Sequence, residues 1–193
     1  MNSRSSFSGV IKAGGVLFSA GNKQASIETF RSARSNASES QDDLLGGLAK
    51  YAAAIHQAKG GNWVAARNAA QVAKDQLEEP PMDQEQVNIS SILEFLETMR
   101  EDPEVVERQN SPPILTGEVP SIDAVSLSIA RIAAPGLAVE RGDSVEDVKR
   151  AIEYAEDDER FAAMVHDYVT STGKQRDLIL QRLVDHAQRR WKR

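Results

Sequence analysis

What the sequence lacks already limits its chemistry. It contains no cysteine, so disulfides, thiolate metal sites and cysteine nucleophiles are excluded. The three histidines, His56, His166 and His186, cannot form a histidine-rich metal cage within one chain unless carboxylates complete it. Aromatic residues make up only 5% of the 193 residues. The core must therefore be packed by Ala, Leu, Ile and Val, which suits close contact between helices.

Long apolar runs are also absent. No stretch approaches the ~18 apolar residues that a membrane-spanning helix needs. The first segment, 1–8, is polar and serine-rich, and we expect it to be flexible. Residues 9–20 are partly apolar, but Lys12 interrupts them, and no positive flank with a cleavage site marks a signal peptide. We expect a cytoplasmic protein with no membrane partner.

The charge balance is acidic. The net charge is −6, and this acidity argues against a general nucleic-acid-binding surface. The exception is a basic tail formed by Arg189, Arg190, Lys192 and Arg193. Such a tail could hold phosphate while Trp191 stacks on a base, but cations in the last turn of a helix also complement its dipole. We expect Trp191 to pack, because it continues the apolar row of Leu183 and Ala187.

The stretch Leu44–Lys59 dominates the hydrophobic pattern. At helical spacing, Leu44, Leu48, Tyr51 and Ile55 form one apolar row, and small residues fill most neighbouring positions. A helix that is apolar around nearly its whole circumference belongs in the middle of a bundle. This pattern predicts a central helix closed by Gly60-Gly61.

The remaining segments also show helical rather than strand periodicity. Helices are predicted over about 9–20, 22–37, 62–77, 89–101, 121–134, 144–156, 161–169 and 174–191, with room for one short helical turn over 103–108 and breaks at Pro80-Pro81, Asp102-Pro103 and Pro135-Gly136. The predicted class is all-α: a helical bundle of about eight to nine helices built from helical hairpins. We divide it into a core over 9–109, a connecting segment over 110–120, and a C-terminal helical extension over 121–193 that packs on the core.

A short pattern repeats inside the core. Residues 21–26 and 61–66 share the order Gly-Asn-x-x-Ala-small, forty residues apart. A repeat of two helices at this period is typical of α-solenoids and of tetratricopeptide-like hairpins. Turns made by Gly-Asn are also common in unrelated helical hairpins, so the pattern by itself leaves true repetition open.

Several pieces resemble one known family. They are Leu17–Gly21, Leu45-Gly46-Gly47-Leu48 continuing through Ala52–His56, and Gly61-Asn62-x-x-x-Ala66. Together they are similar to the domain-of-unknown-function family numbered 309, a small helical bundle. Segments 88–107 and 161–190 look like the longer, archaeal version from halophiles. That family has no established activity, so the resemblance implies a fold and little about function.

The family's most distinctive motif is degenerate in this chain. The motif, Glu-Ala-His-Glu-x-x-Glu on the second helix, falls on Ala25, Ser26, Ile27, Glu28 and Arg31. Of its four acidic or histidine side chains, only Glu28 remains. Whatever the motif does in the family, the resemblance implies that this chain does not do it in the same way.

The sequence offers one candidate pocket, formed by Glu28, Arg31 and His56. A histidine beside a carboxylate could act as an acid–base pair or hold half of a metal site. Alternatively, His56 lies hydrogen-bonded at the bundle edge, and Glu28 forms a surface ion pair with Arg31 worth only a few tenths of a kcal/mol. His166 and His186 fall on the last two helices, about 10 Å apart by the rise of a helix, too far for joint ligation.

These observations favour a non-catalytic helical binding or scaffold protein with a tetratricopeptide-like hairpin pair. Its expected partner is a protein or a peptide, and no catalytic residue, metal ligand or cofactor is predicted. One alternative is a small metal-dependent or hydrolase-like enzyme with its site between helices two and three. Another is a nucleic-acid accessory protein that acts through the basic C-terminus.

Overall fold

The computed structural model describes residues 6–78, 85–155 and 158–191, and these residues form ten α-helices. The predicted all-α class is confirmed. The helices are α1 (Phe7–Ser19), α2 (Lys23–Ala33), α3 (Glu39–Lys59), α4 (Trp63–Leu77), α5 (Ile89–Glu101), α6 (Val105–Arg108), α7 (Leu127–Arg141), α8 (Val145–Ala155), α9 (Glu159–Thr170) and α10 (Gly173–Trp191). None of these helices is both long enough and apolar enough to cross a membrane.

Two helix ends in the N-terminal region differ from the prediction. Helix α1 begins at Phe7 rather than at residue 9, because the Ser6 side chain accepts a hydrogen bond from the Gly9 nitrogen at 3.1 Å and caps the helix earlier. Helix α2 ends at Ala33, and a 3-10 turn over Arg34–Asn36 replaces its predicted last turn. The predicted stop at Pro80-Pro81 lies outside the described residues.

The prediction that a helix ends at Pro135-Gly136 is wrong. Helix α7 starts at Leu127, after a short 3-10 turn over Ile122–Ala124, and continues through both residues to Arg141. Proline removes one backbone donor from the helix, but packing against α2 keeps the helix intact. At Gly136 an added Cβ would lie 2.5 Å from the Ala25 carbonyl oxygen. Glycine here therefore lets α7 approach α2 closely, and this contact outweighs the local breaking tendency.

Helix α3 occupies the centre of the N-terminal bundle, as predicted. Leu44, Leu48, Tyr51 and Ile55 are all fully buried. The Tyr51 ring stacks on Phe18 with ring centroids 5.1 Å apart. The Tyr51 hydroxyl donates to the Pro112 carbonyl oxygen at 2.6 Å, which fastens the connecting segment 110–120 to the central helix. Burial raises the pKa of this hydroxyl above its ordinary value.

The two Gly-Asn turns have the same backbone geometry. Gly21 has φ +89° and Gly61 has φ +74°, values that glycine adopts without the strain that a side chain would add. The Gly21 nitrogen donates to Phe18 O at 3.1 Å, and the Gly61 nitrogen donates to Ala58 O at 2.9 Å. Hairpins α1–α2 and α3–α4 are thus closed in the same way, forty positions apart in the sequence.

A third hairpin, α7–α8, closes similarly. Gly142 has φ +73°, and its nitrogen donates to Val139 O at 3.3 Å. The Asp143 nitrogen donates to Ala138 O at 2.9 Å, just as Asn22 donates to Leu17 O. The sequence pattern missed this turn because residues 142–147, Gly-Asp-Ser-Val-Glu-Asp, match Gly-Asn-x-x-Ala-small only at the glycine.

Helix α7 joins the two ends of the chain. It contacts both α1 and α2 on one side and α8 and α9 on the other. The Glu140 carboxylate accepts a hydrogen bond from the Ala25 nitrogen in the first turn of α2 at 2.8 Å. The Arg141 guanidinium donates from Nη1 to the Tyr168 carbonyl oxygen of α9 at 2.8 Å. The C-terminal helices are therefore tied to the N-terminal hairpins through α7.

Candidate functional site

Two of the three predicted pocket residues contact each other. Arg31 Nη1 lies 3.2 Å from Glu28 Oε1, and the side chains are 50% and 30% exposed. Gln24 Nε2 also donates to Glu28 Oε1 at 3.3 Å. An exposed ion pair one helical turn apart contributes only about 0.2–1 kcal/mol. The pair on α2 thus has the geometry of a surface contact.

His56 lies in the last turn of α3 with its side chain exposed. Within the described residues, no hydrogen bond or ion pair joins it to Glu28. The same residues contain no group of three or more histidine, aspartate or glutamate side chains placed to hold a metal ion. The acid–base pairing of His56 with Glu28 stays a prediction.

The other two histidines have separate neighbours. His166 Nε2 makes a hydrogen bond with the Val125 carbonyl oxygen at 3.0 Å, which fastens α9 to the segment before α7. The His186 ring meets the Phe161 ring edge-on, with centroids 6.1 Å apart. Of the basic tail, Arg189 is exposed on α10, while the side chains of Arg190 and Trp191 and all of Lys192 and Arg193 lie outside the described part of the structure.

A groove lies where the N-terminal hairpins meet α7 and α8. We call it the interhelical groove; its volume is about 710 Å³. Helices α1, α2, α3, α7 and α8 all contribute side chains to it. Its apolar lining comes from Phe7, Val10, Leu45, Ile132, Pro135 and Ile152. The groove therefore combines residues that are far apart in the sequence.

Most uncharged polar groups in the groove already have partners within the protein. Thr29 Oγ1 donates to the Ala25 carbonyl at 2.8 Å, and Ser32 Oγ donates to the Thr29 carbonyl at 3.2 Å. Gln41 Oε1 accepts from the Ser38 nitrogen at 3.1 Å as part of the capping box of α3. The charged residues of the groove are Arg131, Lys149 and Glu153.

The three charged residues of the groove are bonded differently. Arg131 Nη2 donates to the Ala155 carbonyl oxygen at the end of α8, but its buried Nε has no acceptor among the described residues. Lys149 and Glu153 lie one turn apart on α8 with exposed side chains. Neither makes a hydrogen bond or ion pair with the described residues. The groove thus presents two cations against one carboxylate, on a chain whose net charge is −6.

A second cavity, of about 510 Å³, lies beside the first turns of α1 and α7. It is lined by hydroxyl groups together with Lys12 and Glu118. Several of its polar groups pair with one another: Ser8 Oγ donates to Gln86 Oε1 at 3.0 Å, and the Ser126 and Ser128 hydroxyls are 2.9 Å apart. Its charges are balanced, so it has no preference for one sign of ligand.

Among the described residues, Lys23 is the cation with the most strongly shifted pKa. Its Nζ donates to the Phe18 carbonyl oxygen and lies 3.4 Å from the centroid of the Phe18 ring. Burial, together with the neighbouring positive charge of Lys59, lowers the pKa of Lys23 to about 8, although Glu140 opposes the shift. This ammonium holds the α1–α2 turn against the end of α1 and serves the fold.

Sequence reasoning missed the interhelical groove. Its lining spans Phe7 to Glu153, and no short motif connects these positions. The one local signal is Arg131, which interrupts an otherwise apolar run over 129–134. A charged residue inside such a run indicates either a structural contact or a polar site, and here it makes a contact with Ala155 and lines the groove.

Comparison of the chain with protein-family models, with curated proteins and with solved structures finds no match in any of the three. The resemblance to the domain-of-unknown-function family numbered 309 therefore stays a prediction from its short motifs.

Proposed function

We propose that this protein is a non-catalytic helical binding or scaffold protein that receives a segment of a partner protein or peptide in the interhelical groove. The observation that carries the proposal is the groove itself. Its volume of about 710 Å³ falls within the ~300–1,000 Å³ range of small-molecule and cofactor sites, which is room for a few side chains of a partner. It also combines an apolar lining with a few charged groups, as such sites do.

The hairpin architecture supports the same proposal. Stacked helical hairpins bind their partners on the surfaces between repeats, and grooves between helices commonly accept helical or extended peptides. Here three hairpins with the same glycine turn, at Gly21, Gly61 and Gly142, set the helices that form the groove walls.

The enzyme alternative between α2 and α3 depends on cooperation between Glu28 and His56. Glu28 is instead in contact with Gln24 and Arg31 on its own helix. The observations therefore favour the groove over that site as the place where the protein acts.

Site-specific photo-crosslinking in the native cell tests the proposal. A p-benzoylphenylalanine replaces Ile152, which lines the groove. The matched control replaces Val64, which is 73% exposed on the outside of α4. We expect a discrete crosslinked product from position 152 and none from position 64.

A blocking variant makes the test specific. Ala37 lines the groove in an extended stretch between the 3-10 turn and α3, so Ala37→Trp narrows the groove without entering a helix. This change should abolish the product from position 152. Equal crosslinking from both positions, or no product from position 152, would show that the groove is not the binding site.

A further inference from the structure

We infer that the segment received by the interhelical groove is an acidic and apolar peptide, whose carboxylates pair with Arg131 and Lys149. The inference rests on the proposed function and adds the chemistry of the partner. It follows from the charged and apolar side chains that line the groove and from their arrangement.

The groove has a local charge opposite in sign to that of the whole chain. The chain carries a net charge of −6, yet the groove contains two cations and one carboxylate. Lys149 has no ion-pair partner within the described residues, although carboxylates are abundant on the rest of the chain. A local positive site on an acidic protein attracts an acidic partner, and charge complementarity of this kind mainly sets specificity and association rate.

The guanidinium of Arg131 is held in place by a hydrogen bond within the protein. Its Nη2 donates to the Ala155 carbonyl, which fixes the guanidinium at the groove wall. Its buried Nε has no acceptor among the described residues but is out of reach of a ligand, so a carboxylate would pair with the part of the guanidinium that lines the groove. A guanidinium that is already fixed in place binds a carboxylate with less loss of side-chain entropy than a free one.

Apolar side chains line the same groove as the cations. Phe7, Ile132 and Ile152 line the groove and are only partly buried, so they can receive apolar side chains of the same peptide. Glu153 lies one turn beyond Lys149 on α8 and would repel a carboxylate there. The peptide register is therefore restricted: its acidic residues lie toward Lys149 and Arg131 and away from Glu153.

A nucleic-acid strand fits these features less well. Phosphate binding relies on several cations along a backbone, whereas this groove has two cations, one carboxylate and an apolar lining. A peptide with alternating acidic and apolar residues satisfies the two cations and the apolar lining, provided that its acidic residues lie away from Glu153. We therefore treat nucleic acid as a competing outcome of the test.

Fluorescence anisotropy with three pools of short labelled peptides tests the inference on the full chain. The pools share randomised apolar positions and differ only at fixed positions, which hold Glu or Asp, Gln or Asn, or Lys. We expect the acidic pool to bind about tenfold more tightly than the amide pool, and Lys149→Glu to remove about this factor. The matched control, Lys174→Glu, makes the same charge change on the exposed face of α10 and should leave binding unchanged.

Several results would overturn the inference. They are equal binding of the acidic and amide pools, no binding by the acidic pool, an equal effect of Lys149→Glu and Lys174→Glu, or tighter binding of a single-stranded RNA probe at the groove. Circular dichroism checks that both variants remain folded. If position 152 crosslinks a partner while the acidic pool shows no preference, only this inference fails. If position 152 gives no product, the proposed function fails with it.

Discussion

The carboxylate of Glu140, near the end of α7, accepts a hydrogen bond from the backbone nitrogen of Ala25 at 2.8 Å. These residues are separated by more than half of the chain, yet the bond satisfies one of the free donors in the first turn of α2. The negative charge also lies at the positive end of the helix dipole. A side chain of the C-terminal helices thus caps a helix of the N-terminal hairpins.

Removal of this cap should destabilise the whole protein. We expect Glu140→Ala to lower the free energy of unfolding by about 1 kcal/mol, the usual effect of losing a helix cap. Urea denaturation followed by circular dichroism measures the change. The control is Glu94→Ala on the exposed face of α5, which should change the value by less than about 0.5 kcal/mol. Equal effects of both substitutions would mean that the bond from Ala25 does not stabilise the fold.

Gly136 should not tolerate even the smallest side chain. Alanine favours helix over glycine by about 1 kcal/mol, but at this position its Cβ would lie 2.5 Å from Ala25 O and 2.7 Å from Thr29 Oγ1. We expect Gly136→Ala to lower the free energy of unfolding by about 1–3 kcal/mol, as overpacking does. Thermal denaturation measures the difference.

Gly60→Ala provides the control for that experiment. A Cβ on Gly60 would meet its nearest neighbour, Gln57 O, at an ordinary 3.5 Å, and its φ is −86°. Its melting temperature should therefore stay close to that of the unsubstituted chain. A Gly136→Ala protein as stable as Gly60→Ala would contradict the close α2–α7 contact.

Tyr51→Phe should loosen the connecting segment without disturbing the core. The substitution removes the 2.6 Å hydrogen bond to Pro112 O but keeps the ring that stacks on Phe18. We expect a loss of about 0.5–1.5 kcal/mol, typical of one hydrogen bond. Hydrogen–deuterium exchange should become faster over residues 110–120 and stay unchanged in α4. Uniformly faster exchange would indicate a different cause.

The pH dependence of stability should reveal the lowered pKa of Lys23. Its pKa is about 8 in the folded protein against an ordinary value of 10.5 for a solvated lysine, so the unfolded chain binds more protons between these values. Stability therefore rises with pH in this window, because the cost of the buried ammonium is fully present below pH 8 and is relieved toward pH 10.5. Tyr51 and Tyr168, whose pKa values are raised, act in the opposite direction above about pH 10.

Comparison with Lys23→Met isolates this effect, since the tyrosine contribution is common to both proteins. The free energy of unfolding of the unsubstituted chain should increase relative to that of Lys23→Met as the pH rises from 8 toward 10. Urea titrations at several pH values give this difference. A difference that is constant across the window would mean that the Lys23 ammonium is not buried as the structure places it.

Local patterns predicted the parts of the fold that depend on local physics. The apolar rows of α3 and the glycines at positions 21 and 61 were identified because periodicity and positive φ leave a direct mark on the sequence. The predicted break at Pro135 failed because a contact with α2, far away in the chain, decides the outcome there. Packing determines which helices contact each other, and no short window of sequence contains this information.

The candidate site shows the same limit more clearly. Glu28, Arg31 and His56 attracted attention through their residue types and a resemblance, and Glu28 and Arg31 form a surface pair. The interhelical groove takes its charged groups from Arg131, Lys149 and Glu153, and only Arg131 leaves a local signal, because it interrupts an apolar run. Only the docking of α7 and α8 on the N-terminal hairpins brings them beside Leu45.

The interhelical groove takes its walls from α1, α2 and α3 and from α7 and α8, between Phe7 and Glu153. A ribosome that has released α1 to α5 has therefore made complete hairpins but no groove. Under the proposed function, recognition of a partner must wait until α8 has been synthesised and has docked. A partner bound in the groove would contact both α1 and α8. It should therefore protect the folded protein against proteolysis between the N-terminal hairpins and the C-terminal helices.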